Sequence, residues 1–287
     1  MHDWLRYFVA VATHGTLTSA AQHVGISQPA LTHALQRLEA SLDTKLFHRG
    51  RSGAVMTASG KALLPHAERA IGALHSGLRA VQEIEGLERG EVRIHAGATV
   101  CAYVLPSLIA AYRKKHPTIR FTVYEAGTDA ALLAVDRGLA DFAMVVSRTG
   151  EALLVDRLVL IRSHTLKINP DEAPLIAFHQ GGSTRAASDK AFPSREIAME
   201  LSGVGAVLAN VEAGVGVALV SSLAAQRGLA RGTFVEIPMR APVERTLRLV
   251  HRGQNALSPA AISFRRMVLE ARRKVNANAA ASRAGSA

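Results

Sequence analysis

Apolar residues recur every three or four positions from Thr16 to Glu39, and this spacing predicts two short helices around a tight turn. Gly25 stands where the first helix would stop, because glycine enters left-handed backbone without a steric penalty. Ser27 offers a capping hydroxyl to the second helix, and Pro29 falls in its first turn, where no backbone donor is missed. The second helix continues the apolar face with three leucines: Leu31, Leu35 and Leu38.

The outward face of the second helix is polar and comprises Gln28, Thr32, His33 and Gln36. Two helices in this arrangement are typical of a helix-turn-helix, whose second helix lies in the major groove of DNA. A helical hairpin inside an ordinary core shows the same spacing. The pattern alone therefore leaves both interpretations open.

The residues on either side favour the DNA-binding interpretation. A helix is predicted from Asp3 to Thr13, and two short strand-like pieces lie between Leu42 and Gly60 around a turn that contains glycine and arginine. A hairpin in this place is a wing, which contacts the DNA backbone or the minor groove beside the recognition helix. Arg49 and Arg51 flank a glycine in this turn and are candidate phosphate contacts.

The run SAAQHVGISQPALTHALQRLEASLDTKLFHR, followed by MTASG, resembles the DNA-binding domain of LysR-type transcriptional regulators. The helix core, the turn, SQPAL and LFHR all stand in register with the pattern of this family. The resemblance implies that the protein binds double-stranded promoter DNA. The candidate DNA contacts lie on the outward face of the recognition helix and in the wing: Gln28, Pro29, Thr32, His33, Gln36, Arg49 and Arg51.

A long helix is predicted from Thr57 to about Leu87, with apolar residues three and four positions apart: Leu63, Ala67, Ala70, Leu74, Leu78 and Val81. This seam suits a partner helix, although a helix that packs on its own domain would show the same pattern. Pro65 predicts a kink or a later start, because an interior proline costs about 3 kcal/mol. In LysR-type proteins the corresponding helix links the domains and pairs two subunits. The resemblance therefore implies a homodimer, or a homotetramer made from two dimers.

From residue 90 onward the pattern changes to alternating strands and helices, which predicts a mostly parallel sheet with ligands at the carboxyl ends of its strands. Thr99, Thr128 and Ser147 lie at such ends. The later stretches PLIAFHQGGSTR and VEAGVGVALV resemble the effector-binding domain of the same family. The resemblance implies two α/β lobes with a cleft between them, like those of a periplasmic solute-binding protein.

Six residues are candidates for effector binding: Thr99, Cys101, Thr128, Ser147, Ser183 and Thr184. Hydroxyl groups and helix N-termini together suit a carboxylate or a similar anion. The hydroxyls could instead only cap helices, which is a common role of Ser and Thr. Cys101 could form part of the pocket wall or act as a redox sensor.

The net charge of +11 does not locate the DNA site. Residues 1–90 hold nine Lys and Arg against seven Asp and Glu, so most of the basic excess lies in residues 91–287. There it could equally attract an anionic ligand. The twelve histidines lack metal-binding spacing, and no catalytic triad or carboxylate pair can be assembled. We therefore expect no metal, no cofactor and no enzymatic activity.

Three features bear on the compartment of the protein. No charge-free run is long enough to cross a bilayer. The N-terminal MHDWLRYF lacks the features of a signal peptide, and the single cysteine fits a reducing compartment. We therefore expect a cytoplasmic protein with no membrane partner.

The sequence as a whole predicts an α/β multidomain protein with four parts: a winged helix-turn-helix (1–58), a linker and dimerisation helix (59–89), a two-lobed periplasmic-binding-protein-like effector domain (90–275) and a disordered tail (276–287). Lobe I would comprise about 90–157 and 255–275, and lobe II about 158–254. The predicted function is a LysR-type regulator whose promoter binding responds to a small anionic effector in the cleft, with RNA polymerase as a further partner. The alternative is a solute-binding protein with no regulatory role.

Overall fold

The computed structural model describes residues 2–50, 53–84, 90–167, 169 and 172–284. The chain divides into two compact units. The first comprises Met1–Gln82 together with the short segment Asp136–Leu139, and the second comprises Glu83–Val135 and Ala140–Ala287.

The first unit consists of helices and one hairpin. In chain order its elements are α1 (His2–His14), α2 (Leu17–Val24), α3 (Gln28–Ser41), β1 (Phe47–Gly50), β2 (Gly53–Met56) and the long α4 (Ala58–Ile84), whose last residues extend into the second unit.

The turn between α2 and α3 uses the residues that the sequence indicates. Thr16 caps α2 because its hydroxyl accepts a hydrogen bond from the Ser19 N–H at 3.1 Å. Gly25 follows α2 in left-handed backbone, with φ 75°. Ser27 caps α3, and its hydroxyl accepts from the Ala30 N–H at 3.3 Å. The predicted helix-turn-helix is therefore confirmed.

The apolar faces of α1, α2 and α3 meet in one core with the start of β1. The largest fully buried side chains in it are Phe8, Leu31, Leu35 and Leu46. Burying each contributes about 1.5–3 kcal/mol relative to leaving it in water. Strands β1 and β2 pair antiparallel, with Arg49 opposite Ala54. The predicted wing is thus a two-stranded hairpin on the three-helix core.

Helix α4 begins at Ala58, where the Thr57 hydroxyl accepts a hydrogen bond from the Gly60 N–H at 3.0 Å. It continues through Pro65, so of the two predicted effects of this proline, a kink or a later start, the later start is wrong. The physical reason is that the Thr57 cap satisfies the first turn, and the proline removes a single backbone donor further along. Three apolar side chains near the far end are 40, 53 and 58% exposed: Leu74, Leu78 and Val81.

The second unit alternates strands and helices. In chain order its elements are β3 (Glu91–Ala96), a π-helical turn (Val100–Val104), α5 (Leu105–Lys115), β4 (Arg120–Glu125), α6 (Thr128–Asp136), β5 (Phe142–Val146), β6 (Glu151–Ser163), β7 (Leu175–Phe178), α7 (Ser183–Ala191), β8 (Ile197–Leu201), α8 (Val204–Glu212), β9 (Ala218–Ser221), α9 (Ser222–Ala230), β10 (Phe234–Ile237), β11 (Val243–Val250), a 3-10 turn (Gln254–Ala256) and α10 (Pro259–Ala284).

The main sheet of this unit has the strand order β10-β6-β11-β5-β3-β4, and β9 also pairs with β6. Strand β3 runs parallel to both β4 and β5, as the alternation predicts. Strands β7 and β8 form a separate parallel pair. The long strands β6 and β11 pair antiparallel with each other, β11 also pairs with β5, and β6 also pairs with β9 and β10. These two strands therefore connect the two halves of the domain.

Each half has its own apolar core. In the first half Phe142, Phe264 and Leu105 are fully buried, and the Tyr112 hydroxyl donates to the Ala260 carbonyl at 3.0 Å. The core of the second half is rich in β-branched residues: Val159, Ile161, Ile176, Val207, Val211 and Val220. Two lobes joined by crossing strands are the arrangement that the family resemblance implies.

The C-terminal helix α10 begins at Pro259, where the Ser258 hydroxyl accepts from the Ala261 N–H at 3.4 Å. The helix continues to Ala284, through most of the segment for which the sequence predicts a disordered tail. Alanine is frequent in this segment and is the best helix former, so its composition also suits a helix. Residues 285–287 lie outside the described ranges.

Candidate functional site

The outward face of α3 carries the polar side chains that the sequence places there. Gln28, Pro29, His33 and Gln36 are exposed, and Thr32 is half-buried. The Gln28 side-chain amide donates to the Thr32 hydroxyl at 3.3 Å. Because the opposite face of the helix is packed in the core, these five residues are presented together to solvent.

Arg37 belongs to the same exposed helix surface, and the sequence interpretation missed it. Its guanidinium lies over the ring of Trp4, 5.4 Å from the ring centroid. Stacking on an aromatic face leaves the charge intact and restrains the side chain. The partner stands in α1, and the spacing within α3 gives no sign of this contact.

The hairpin is attached to the turn between α1 and α2. The Ala54 N–H donates to the Gly15 carbonyl at 2.8 Å. Gly53 has φ 114°, and a Cβ there would lie 2.6 Å from the same carbonyl oxygen. Glycine is therefore required at this position. The side chain of Arg49 and the whole of Arg51 lie outside the described residues, so their assignment to phosphate contacts stays a prediction.

A buried carboxylate joins the end of α3 to the start of the hairpin. Glu39 is 3% exposed, and it accepts hydrogen bonds from the Leu46 N–H at 2.9 Å, the Phe47 N–H at 3.4 Å and the Lys45 ammonium at 3.0 Å. Burial by itself raises the pKa of Glu39, but these hydrogen bonds and the charge of Lys45 outweigh burial and hold the pKa below its usual value. The ionised form of Glu39 thus fixes the hairpin against the recognition helix.

A cavity of about 380 Å³ lies within the second unit. It is bounded by the carboxyl ends of β3, β4 and β5 on one side and by the turn between β7 and α7 on the other. Its lining includes four of the residues that the sequence predicts for effector binding: Thr99, Thr128, Ser183 and Thr184. Two of them, Thr99 and Thr128, are predicted from the ends of strands, and Ser183 and Thr184 from the turn GGSTR of the second lobe.

Two further predicted residues, Cys101 and Ser147, are not part of the cavity lining. Cys101 is half-buried, and burial together with the charge of Glu125 raises the pKa of its thiol to about 11. The thiol therefore stays protonated at neutral pH, which favours packing over redox sensing. The Ser147 hydroxyl accepts from the Thr149 N–H at 3.2 Å, a local turn contact of the kind that the capping alternative describes.

The floor of the cavity is formed by Arg245, whose side chain is 8% exposed. Its guanidinium nitrogens Nε and Nη2 both lie 2.8 Å from one oxygen of Asp156. Nη1 donates to the hydroxyls of Ser183 at 2.9 Å and Thr184 at 2.7 Å, and Nη2 donates to the Thr99 hydroxyl at 3.2 Å. A single side chain therefore connects residues from both halves of the domain.

Asp156 is almost completely buried on β6. Its second carboxylate oxygen accepts a hydrogen bond from the Ser221 hydroxyl at 2.5 Å, and Ser221 in turn caps α9 by accepting from the Leu223 N–H at 3.2 Å. The ion pair between Asp156 and Arg245 is thus hydrogen-bonded on both sides, as a buried ion pair must be to offset desolvation.

The sequence interpretation missed both Arg245 and Asp156. A signal was present, because side chains at every second position of a strand share one face. Arg245 shares its face of β11 with the buried Leu247 and Leu249, and Asp156 shares its face of β6 with the buried Leu158 and Leu160. A charged residue at an inward strand position indicates a buried polar network.

Several helix N-termini also meet at the cavity. The π-helical turn, α6, α7 and α8 all begin among its lining residues: Val100, Thr128, Ser183 and Val204. Free backbone N–H groups and the helix dipole favour an anion at such ends. Thr99 makes no side-chain cap hydrogen bond to the helical turn that follows it. Its hydroxyl instead accepts a hydrogen bond from Arg245. Glu125 contributes a carboxylate to the same lining.

The part of the chain that the structure describes contains neither a metal-binding group of side chains nor a membrane-spanning helix. Among these residues, no group of three or more His, Cys, Asp or Glu is arranged to hold a metal ion. None of the described helices combines the length and the apolar character needed to cross a membrane.

Comparisons with known proteins give the same family at both ends of the chain. Residues 2–61 match the family described as "Bacterial regulatory helix-turn-helix protein, lysR family", and residues 85–273 match the family described as "LysR substrate binding domain". The "Probable RuBisCO transcriptional regulator" of Trichormus variabilis is 28% identical over 293 residues, which cover 93% of this chain and 87% of that protein.

Two solved structures share the fold. Full-length CbnR in complex with its target DNA has a TM-score of 0.63 at 20% identity, covering 95% of this chain and 99% of that one. Full-length LysG from Corynebacterium glutamicum with bound effector Arg has a TM-score of 0.64 at 16% identity, covering 96% and 98%.

Proposed function

The chain belongs to the LysR family of DNA-binding transcriptional regulators. From this premise we propose which of its residues bind DNA, which bind the effector and which pair the subunits. Its N-terminal helix-turn-helix binds DNA, its second unit is an effector-binding domain, and the family is one of regulators rather than enzymes. We propose that the outward face of α3 reads promoter sequence and that a small anion in the cavity modulates this reading. The alternative of a solute-binding protein without regulation finds no support, because residues 2–61 match the DNA-binding family.

Base readout is assigned to the exposed polar side chains of α3. Gln28 and Gln36 carry amides that can form paired hydrogen bonds to adenine, and Thr32 and His33 can contact base edges beside them. Pro29 presents its ring at the first turn of the same face. Arg49 and Arg51 of the wing are assigned to phosphates, which set affinity and register rather than sequence preference.

The effector is assigned to the 380 Å³ cavity, and one observation carries this assignment. Hydroxyl groups and helix N-termini from both halves of the domain line the same space. Both kinds of group favour a carboxylate or another oxyanion. The exposed carboxylate of Glu125 lies in the same lining and would face a different part of the ligand.

Regulation requires that the effector bind one arrangement of the two lobes better than another. The crossing strands β6 and β11 are the covalent connections that such a change would bend. The effector then changes the affinity for DNA by the same factor as DNA changes the affinity for the effector.

Subunit pairing is assigned to α4. Leu74, Leu78 and Val81 are large apolar side chains that remain exposed at three- and four-residue spacing. A second copy of the helix would bury them, which supports a homodimer and, by analogy with the family, a homotetramer. Promoter binding further suggests that the protein works in the cytoplasm, where the bacterial chromosome lies, and that RNA polymerase is a partner.

The experiment that tests this function has two stages. First, the full-length protein selects duplexes from a random library, and the enriched sequence defines its DNA site. Second, anisotropy measures the affinity for that site with and without the carboxylates that raise the melting temperature of the protein. We expect an enriched two-fold symmetric site whose affinity changes with ligand. If a site is enriched but no ligand changes the affinity for it, the proposed DNA recognition is supported and the proposed effector role of the cavity is contradicted.

A further inference from the structure

All three guanidinium nitrogens of Arg245 donate hydrogen bonds to protein groups. A guanidinium has five N–H donors and no acceptor. Nε donates to Asp156, Nη1 donates to the hydroxyls of Ser183 and Thr184, and Nη2 donates to the hydroxyl of Thr99 and lies 2.8 Å from the same Asp156 oxygen. A ligand that bound Arg245 directly would have to displace one of these partners.

The hydrogen bonds from Arg245 determine how the three hydroxyl groups of Thr99, Ser183 and Thr184 are oriented. Each of their oxygens accepts a hydrogen bond from Arg245, and a guanidinium can only donate. The hydroxyl hydrogen of each residue must therefore point away from the arginine. All three residues line the cavity, and no hydrogen bond from these hydroxyls to an acceptor is formed among the described residues. The three O–H groups are thus free to donate to a ligand group in the cavity in front of Arg245.

The ion pair also removes net charge from the cavity floor. Asp156 neutralises Arg245 at 2.8 Å, and its own side chain is fully buried. Attraction between a ligand and the cavity floor therefore comes from hydrogen bonds donated by oriented O–H groups more than from a net positive charge. Oriented donors in a desolvated site discriminate strongly, because a ligand donor placed against them leaves two donors without an acceptor.

We infer that Arg245 is a positioning residue that fixes Thr99, Ser183 and Thr184 as hydrogen-bond donors, so that this part of the cavity selects an acceptor-only group such as a carboxylate or another oxyanion. The inference rests on the proposed effector role of the cavity and adds to it the chemical class of one ligand group and the residue that sets the selection.

The test uses the full-length protein with methyl-labelled threonine, so that NMR reports the methyl groups at the site. Acetate is the acceptor-only probe, acetamide is a probe of similar shape that also carries donors, and sodium chloride keeps the ionic strength constant. We expect acetate to shift the Thr99 and Thr184 methyl signals with saturation below about 100 mM, and acetamide to bind at least about tenfold more weakly. Inorganic sulfate provides a second oxyanion.

Arg245→Lys tests the positioning role. Lysine keeps the positive charge beside Asp156, but its three donors cannot hold the carboxylate and three hydroxyls at once. We expect the preference for acetate over acetamide to fall about tenfold towards unity. Arg248→Lys is the matched control, because Arg248 lies on the same strand and donates to the Gly150 carbonyl instead. It should keep the wild-type preference.

Thr184→Val provides a second variant if Arg245→Lys does not fold. It removes one of the three oriented donors and keeps the shape, and it should weaken acetate more than acetamide, as read on the Thr99 methyl. A folded Arg245→Lys with wild-type preference would overturn the inference. So would a wild-type protein that binds neither acetate nor sulfate, or that prefers acetamide. Acetate binding without any change in DNA affinity would instead contradict the proposed regulation and leave the inference intact.

Discussion

The outward face of α3 and the floor of the cavity are both polar, but they hold their polar groups in opposite ways. On α3 the amides of Gln28 and Gln36 are exposed, and the contact between side chains there is the 3.3 Å hydrogen bond from Gln28 to Thr32. On the cavity floor Arg245 is 8% exposed and donates to four neighbours. The first surface can rearrange to meet a partner, whereas the second is ordered before any partner arrives.

This difference predicts how each region responds to mutation. Residues on an exposed, loosely bonded face change binding and leave stability nearly untouched. Residues in a buried, fully paired network change stability first, because removal of one partner leaves a charge without compensation. A fixed site also avoids the cost of ordering side chains on binding.

The largest effect is expected for Asp156→Ala, which leaves the guanidinium of Arg245 buried without its counter-ion. The free energy of unfolding of the second unit should fall by about 3–5 kcal/mol, as measured by urea denaturation. The control is Glu236→Ala, which breaks the exposed pair between Glu236 and Arg157 at 2.8 Å and should cost less than about 1 kcal/mol. Equal losses in the two variants would show that the cavity floor is not a paired, desolvated network.

Thr99→Val should weaken ligand binding while DNA affinity without ligand stays unchanged. The variant keeps the shape of the side chain, removes one oriented donor and leaves one N–H of Arg245 unpaired, so affinity for a carboxylate that stabilises the protein should fall by about 1–3 kcal/mol. Isothermal titration calorimetry measures the affinity for the carboxylate. The control is Thr149→Val, because Thr149 lies outside the cavity lining. A variant that loses thermal stability but keeps its ligand response would place the ligand elsewhere.

Glu39→Gln should destabilise the first unit by about 1–3 kcal/mol at pH 7, because the neutral amide is a weaker acceptor for three donors that were bonded to a carboxylate. Asp43→Asn, at an exposed carboxylate on the loop that follows α3, should stay within about 0.5 kcal/mol.

The difference between wild type and Glu39→Gln should depend on pH in a defined direction. The pKa of Glu39 is lowered in the folded protein, so its stabilising effect is complete above the pKa of the unfolded chain and is lost as pH falls through the folded pKa. Denaturation series from neutral pH into the acid range should show the two proteins converging in the acid range. A gap that stays constant, or that widens on acidification, would contradict the ionised Glu39.

The smallest effect concerns the wing. Arg49→Ala should weaken binding to every DNA sequence alike and reduce the slope of log affinity against log salt by about one, because one phosphate contact is lost. Anisotropy titrations at several salt concentrations measure the slope, and Arg6→Ala in α1 serves as a control in the same unit. An unchanged slope would remove Arg49 from the DNA contacts.

The contrast between the two regions also explains which features could be predicted from the sequence. The recognition face follows from local spacing, because Gly25, Ser27 and the leucines of α3 all stand within one turn or two of the residues that they position. Thr99 and Thr128 at the cavity follow from their positions at the carboxyl ends of strands. Arg245 could not be connected to its partners in this way, since they stand between 61 and 146 residues away in the chain.

Errors in the sequence interpretation have similar physical origins. Pro65 suggested a kink or a later helix start, but the Thr57 cap determines that α4 begins at Ala58. Ser147 stands at a strand end like Thr99, yet its hydroxyl turns to Thr149. Side-chain direction at a strand end depends on the turn that follows, and the alternation of strands and helices does not specify that turn.

We propose that α3 reads DNA sequence through exposed side chains that have little role in the fold. Gln28→Ala tests it most directly, with affinities measured for the selected site and for random duplexes of equal length. We predict a loss of about 1–3 kcal/mol per half-site for the selected DNA, unchanged affinity for random DNA, and unchanged unfolding. Gln82→Ala, an exposed glutamine on α4, should change none of these. Equal losses for selected and random DNA, or none for either, would contradict the claim.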